Sequence, residues 1–253
     1  MSQPSHHDAS RITGVATDID SASVAAFFAD RATRAGGPNP LSAVIYQDRH
    51  PELARARDTH ERSFAVPRLK LDGARIALDV GCGIGRWAPD IIDHGVDYVG
   101  TDFSAELLEH ARSAHGQASV RFVHLAAQDL SPSTLGRSDF DRVLLAGLLI
   151  YLNDVDVRRV LHGIESVCAP SALLYIREPA AVTTRLTLKG HWSEEMSSQY
   201  NAIYRSITEL NALLADTLLQ AGFNVVERGD LYPEHLNNRS ETRQVYYILE
   251  RPA

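Results

Sequence analysis

The chain has 253 residues, 44% of them hydrophobic, enough to bury one substantial core and to favour one catalytic domain with an appended arm. Its formal net charge is -7, with acids and bases interleaved, which argues against a nucleic-acid backbone as the main partner because phosphate affinity rests on Lys and Arg. Only Cys82 and Cys168 are present, far apart and without a C-x-x-C pairing, so neither a disulfide framework nor a zinc-thiolate site is indicated.

In chain order, Met1 to Ala16 is polar and lacks the basic-then-apolar order of a signal peptide. Residues 1–17 therefore read as a flexible tail on a cytoplasmic protein. Residues 18–70 read as a helical arm or cap, broken by the glycines and prolines of Ala35 to Pro40. A helix is predicted from Pro51, suited to a first turn, to about Pro67. Residues 71–253 then alternate between apolar runs and helical stretches. Ile76 to Val80, Tyr98 to Gly100, Val120 to Leu125, Val143 to Ala146 and Leu173 to Ile176 read as parallel strands. Ser104 and Asn153 are predicted N-caps of two intervening helices. An apolar stripe through Ile203, Ile207, Leu210, Leu214 and Leu218 predicts a further helix, stopped by Gly222. Phe223 to Val226 and Val245 to Leu249 complete about seven strands, the last two joined as a hairpin around Gly229 to Glu241. The longest apolar run, Val143 to Leu152, is about half of the roughly 20 residues a membrane helix needs.

Chemistry concentrates where the first core strand ends. Leu78-Asp79-Val80-Gly81-Cys82-Gly83-Ile84-Gly85 is an apolar strand running into a turn whose glycines permit positive φ and close approach of a ligand. Such glycines also close ordinary strand-to-helix turns. Here, however, a second strand ending in Asp102 follows the first glycine by about 20 residues, the interval a ribose-binding carboxylate requires. The turn reads G-x-G-x-G and lacks the third glycine of the G-x-G-x-x-G dinucleotide fingerprint, which disfavours an NAD-dependent oxidoreductase.

These two motifs, Leu78 to Gly85 and Thr101-Asp102-Phe103-Ser104, resemble those of the class I S-adenosylmethionine-dependent methyltransferases of small-molecule type. The resemblance covers about residues 75–251. It implies an α/β, Rossmann-like, seven-stranded, mostly parallel sheet of order 3-2-1-4-5-7-6, flanked by helices, with its seventh strand antiparallel. It further implies that Asp79 orients the methionine amino group, that Gly81, Cys82 and Gly83 let the backbone approach the cofactor, that Asp102 binds both ribose hydroxyls and that Phe103 flanks the adenine. The acid that commonly meets the adenine falls at Ala126. The main chain of Ala127 and the side chain of Gln128 or Asp129 are the candidates to replace it, unless Asp129 merely caps the next turn. Ala146, at the end of the fourth strand, is expected to border the transferring methyl. Tyr46 matches the tyrosine with which small-molecule methyltransferases close over the cofactor, or else anchors the arm.

Three residues are catalytic candidates. Tyr151 stands where many family members carry a substrate-facing His, though a Tyr among leucines also packs through its ring. Glu178 follows a strand end, where it could bind an amine or act as a base, or form an ion pair with Arg177 or Arg185. His191 lies in a long aromatic segment of about 178–204 that reads as a substrate lid. Displacement at a sulfonium needs alignment more than a protein nucleophile. Accordingly the sequence shows no metal-ligand spacing despite its 11 histidines. The expected function is methyl transfer to a small-molecule acceptor, a specialised metabolite or biosynthetic intermediate. A non-catalytic binding subunit and a protein or tRNA acceptor stay open as alternatives, as does a homodimer.

Overall fold

The computed structural model describes residues 10–252; the first nine residues of the expected flexible tail lie outside the described residues. The seven-stranded sheet forms as expected. Its strands are β2 (Ile76–Val80), β3 (Asp97–Asp102), β4 (Val120–His124), β5 (Phe140–Ala146), β6 (Cys168–Ala181), β9 (Asn224–Asp230) and β10 (Thr242–Arg251). They run in the order β4-β3-β2-β5-β6-β10-β9, with β10 antiparallel to both neighbours. This is the 3-2-1-4-5-7-6 order. All five residues of β2 are buried, which is why that central strand shows no alternation: helices cover both faces of the sheet.

One face packs on the short α5 (Pro132–Leu135), α6 (Asp154–Val167) and α7 (Ile207–Leu214) through Leu78, Val143, Leu174, Leu135, Val160, Leu161 and Leu214. The other packs on α2 (Pro51–Arg68), α3 (Ala88–Ile92) and α4 (Ala105–His115), with Trp87 and Tyr98 at its centre. Ser104 caps α4, its Oγ accepting from Leu107 N at 3.2 Å. Asn153 occupies the cap position of α6 but makes no side-chain cap. Its amide instead brackets Ile19, Oδ1 accepting from Ile19 N at 2.9 Å and Nδ2 donating to Ile19 O at 3.1 Å, so that it ties the arm to the core.

A second, three-stranded sheet departs from the sequence reading. β1 (Arg11–Thr13) pairs antiparallel with β7 (Leu186–Ser193), which pairs with β8 (Ser198–Tyr204). The end of the expected flexible tail is thus a strand, with Ile12 opposite Thr187. The expected lid is a β-hairpin, and Glu178 lies before it, inside β6. Ile203 belongs to β8 and not to the helix whose stripe it appeared to begin. Helix α1 (Ser21–Ala32) lies on this hairpin: Phe27, Tyr151, Tyr200 and Ala202 share a third core cluster. The fold therefore brings arm, hairpin and the carboxyl edge of the main sheet together.

Candidate active site

The glycine turn is tied to the next strand before any ligand is considered: Gly81 N and Cys82 N both donate to Thr101 O, at 2.8 and 2.9 Å. Gly83 has φ +55°, and a Cβ there would lie 2.7 Å from Cγ1 of Val44, so a side chain is excluded both by conformation and by the arm seated on the turn. Asp102 completes the motif. Its Oδ2 accepts from Gly83 N at 2.8 Å and its Oδ1 from Ser104 N at 2.9 Å. Burial raises the Asp102 pKa, and these amides oppose the rise by stabilising the charged form. Each carboxylate oxygen keeps further acceptor capacity toward the cavity that Asp102 lines.

That cavity, about 1180 Å³ of empty space including its open mouth, gathers Tyr46, Gly81, Gly83, Asp102, Phe103, Ala146 and Tyr151 of the expected site residues. Its roof is aromatic. Phe28 of α1 meets Phe103 edge-on at 5.5 Å and Tyr151 at 5.0 Å. Tyr46 is held against Phe27 at 5.4 Å and beneath the Arg31 guanidinium at 4.7 Å, which itself pairs with Asp48. The Tyr151 and Tyr200 hydroxyls lie 3.0 Å apart, and Tyr204 donates to Tyr200 at 3.4 Å. Burial, reinforced by the neighbouring phenols, drives the Tyr151 pKa well above its ordinary value. Tyr151 is consequently a neutral hydrogen-bonding group near neutral pH, and the proton-accepting phenolate is disfavoured.

The remaining expected site residues sit elsewhere. Asp79 points to the α2–α4 face of the sheet, where its Oδ2 accepts from Tyr98 OH at 2.6 Å; burial lifts its pKa to about 6. Cys82 does not line the cavity: its buried thiol lies beneath Gly100, where an added Cβ would come within 2.8 Å of the sulfur. Ala127 is core, packed with α6 residues, and neither it nor Gln128 lines the cavity. Their side chains therefore do not face a ligand there.

Glu178 is not at the cavity either. Strand alternation turns Arg177 and Pro179 toward it and Glu178 away, under the loop that follows β5. Its Oε1 accepts from Leu148 N at 2.8 Å and Leu149 N at 2.9 Å, and burial raises its pKa to about 7. The expected ion pairs also fail: Arg177 pairs with Glu61, and Arg185 with Asp154 and Glu209. His191 stands in β7, opposite Tyr200 in register, with Nδ1 2.9 Å from the Ser10 hydroxyl, outside the cavity lining. Neither residue is placed to reach a cavity-bound acceptor.

A buried ion network joins the two ends of the site. Glu61 of α2 accepts from Arg86, just past the glycine turn, at 2.6 Å and from Arg177, at the cavity wall, at 2.9 Å. Burial alone would raise the Glu61 pKa, but the two guanidiniums outweigh it and hold it at about 2. Arg86 is also paired with Asp58 at 2.9 Å. Sequence reading missed this network and the contributions of Phe28, Val44 and Tyr200. For Phe28 a signal existed in the spacing of Val24, Phe27, Phe28 and Arg31, which marks one helical face.

Residues 77–171 match a family model described as a methyltransferase domain. The chain is 24% identical over 226 residues to the ubiquinone biosynthesis O-methyltransferase of Sinorhizobium medicae, covering 83% of each. It is 25% identical over 126 residues to phosphoethanolamine N-methyltransferase 1 of Triticum aestivum, which is 49% of this chain but 25% of that protein. Among solved structures, the 1,6-didemethyltoxoflavin-N1-methyltransferase of Burkholderia thailandensis superposes with a TM-score of 0.63 at 18% identity, covering 100% of both chains. The chain thus shares the fold of these solved methyltransferases, and the match to the methyltransferase-domain model falls on the part of it that holds the glycine turn and Asp102.

Proposed function

We propose that the protein transfers a methyl group from S-adenosylmethionine to a small-molecule acceptor, a specialised metabolite or biosynthetic intermediate. The observation that carries this reading is Asp102, a buried carboxylate pinned by Gly83 N and Ser104 N at the cavity floor beside two glycines without side chains. These residues fit the cofactor: Asp102 would hold the ribose hydroxyls, Phe103 the adenine, and the Gly81–Gly83 backbone the methionine portion. When bound, the cofactor supplies an electrophilic methyl on a sulfonium. The chain's own contribution is alignment and exclusion of water by Phe28, Tyr46, Tyr151 and Tyr200, with Ala146 leaving room at the end of β5. Among the described residues that line the cavity, Asp102 is the only acid and there is no histidine, so the acceptor must be nucleophilic in the form in which it binds. The small-molecule acceptors in the names of the similar proteins support the same class of substrate.

The test is calorimetric titration with S-adenosylmethionine and S-adenosylhomocysteine, with NAD as control and Asp102→Ala as the negative variant. Binding of the adenosyl ligands that is lost in the variant supports the proposal. Absence of binding by folded protein overturns it.

A further inference from the structure

The cavity continues from the methyl-transfer end to a mouth formed by α2, the ends of β6 and β10, and the loop joining β9 to β10. This mouth is cationic, lined by Arg57, Arg177, Arg239 and Arg243. Two of the four are neutralised, Arg177 by Glu61 at 2.9 Å and Arg243 by Asp230 at 2.8 Å. Arg57 is not. Its guanidinium donates to Leu236 O at 2.8 and 2.6 Å and to Asn238 Oδ1 at 2.9 Å, and has no carboxylate in ion-pair range among the described residues. Arg239, exposed on the loop, makes neither a hydrogen bond nor an ion pair among the described residues. Burial lowers the Arg57 pKa, and the charges of Arg239 and Arg177 add to that against Tyr232 and the acid Glu195. Two like charges are therefore held at one opening with no carboxylate in ion-pair range among the described residues.

Their place in the sheet separates them from the ribose site. β10 lies three strands from β2 in the order β2-β5-β6-β10, a distance of roughly 14 Å at about 4.8 Å per strand. The glycine turn and Asp102 are at one end of the cleft and the unpaired arginines at the other, with Ala146 and Gly147 between them. We infer that the acceptor is an anion, a small molecule whose carboxylate or phosphate is bound by Arg57 and Arg239 while its nucleophilic atom lies toward Ala146. The inference rests on the methyltransferase reading. Guanidinium groups suit such oxoanions because their donors match the oxygens in pairs, and the Tyr232 hydroxyl, its pKa pushed up to about 12 mainly by burial, adds a neutral donor at the same wall.

Phenyl phosphate and benzoate, with phenol and benzylamine as controls, are titrated at low salt into protein saturated with S-adenosylhomocysteine. The two anions are expected to bind saturably and the controls not. Arg239→Gln, which removes no internal contact, and the double variant with Arg57→Gln are expected to weaken anion binding about tenfold or more, with S-adenosylhomocysteine affinity held within about twofold. Circular dichroism confirms that both variants are folded. Equal binding of phenol or benzylamine, or unchanged anion affinity in the folded variants, overturns the inference. Anion binding that S-adenosylhomocysteine abolishes also overturns it, by assigning the arginines to the cofactor's own carboxylate. Failure of folded protein to bind S-adenosylhomocysteine at all is the distinct result that removes the methyltransferase reading and this inference with it.

Discussion

The two ends of the cavity are built on different principles. At the cofactor end, the glycine turn and Asp102 come from adjacent parallel strands, and the ties between them are largely main-chain: Thr101 O to the turn amides, Asp102 to Gly83 N. At the acceptor end, the walls come from α1, α2, β6, β8 and the β9–β10 loop, and the contacts are between side chains distant in sequence. The first arrangement constrains what binds to the extent that any residue at its glycines would clash. The second tolerates exchange of side chains, so it is where one member of such a fold can differ from another in acceptor.

If the two ends are separate in this sense, substitutions should divide between them, except where the ion network couples them. The largest effect is expected at that coupling. Glu61→Ala strands Arg86 and Arg177 without their shared buried carboxylate and should cost about 3–5 kcal/mol of stability, read as a fall in the denaturant midpoint. A loss below about 1 kcal/mol would mean that water replaces the carboxylate and that the two ends are independent.

Glu178→Gln should act in the opposite direction. Folding raises the Glu178 pKa from 4.5 to about 7, so the native state binds the proton more tightly than the unfolded chain. Stability should therefore fall as pH rises through this window, and the Gln variant, which keeps an acceptor for Leu148 N and Leu149 N, should flatten that fall and gain up to about 3 kcal/mol at pH 8. Urea titrations from pH 4.5 to 8 check this. Retained turnover in the same variant would confirm that Glu178 supports the loop and is no base.

Asp102→Ala tests the cofactor end alone: affinity for S-adenosylhomocysteine should drop by about 1.5–3 kcal/mol through loss of charge-assisted hydrogen bonds. Equal affinity in folded protein would place the adenosyl group elsewhere. Tyr151→Phe, the smallest of the set, removes one hydroxyl from the Tyr151–Tyr200 pair and should cost about 1 kcal/mol of stability and, in a transfer assay, leave cofactor affinity unchanged. A changed cofactor affinity would show that the roof belongs to both ends.

The strands of the main sheet and the Gly81–Asp102 pair are legible in the sequence because each depends on local pattern, namely apolar runs, turn glycines and a fixed interval between them, whereas the strand order is what the family resemblance implies. Two catalytic candidates lie outside the cavity lining for one shared reason. Glu178 and His191 are candidates by their nearness in sequence to a strand end and a lid, whereas access to the cavity depends on which way each side chain faces. A sheet covered on both sides erases the alternation that would reveal this in β6. The strand Arg11–Thr13 was invisible for another reason, since three residues carry no period and its partner lies far along the chain at Leu186–Leu188.

By itself, then, the sequence determined the class of fold and the pairing of the glycine turn with Asp102, because both arise from interactions between neighbouring elements whose residue types are dictated by backbone geometry. Only the tertiary structure decided which arginines share a mouth with no carboxylate in ion-pair range among the described residues, which tyrosines meet over the cleft and which carboxylates are buried as supports. Those depend on long-range juxtaposition, and a residue's chemistry there is set by its neighbours in space: Asp102, Glu61 and Glu178 are all buried carboxylates, and their surroundings move their pKa values in different directions.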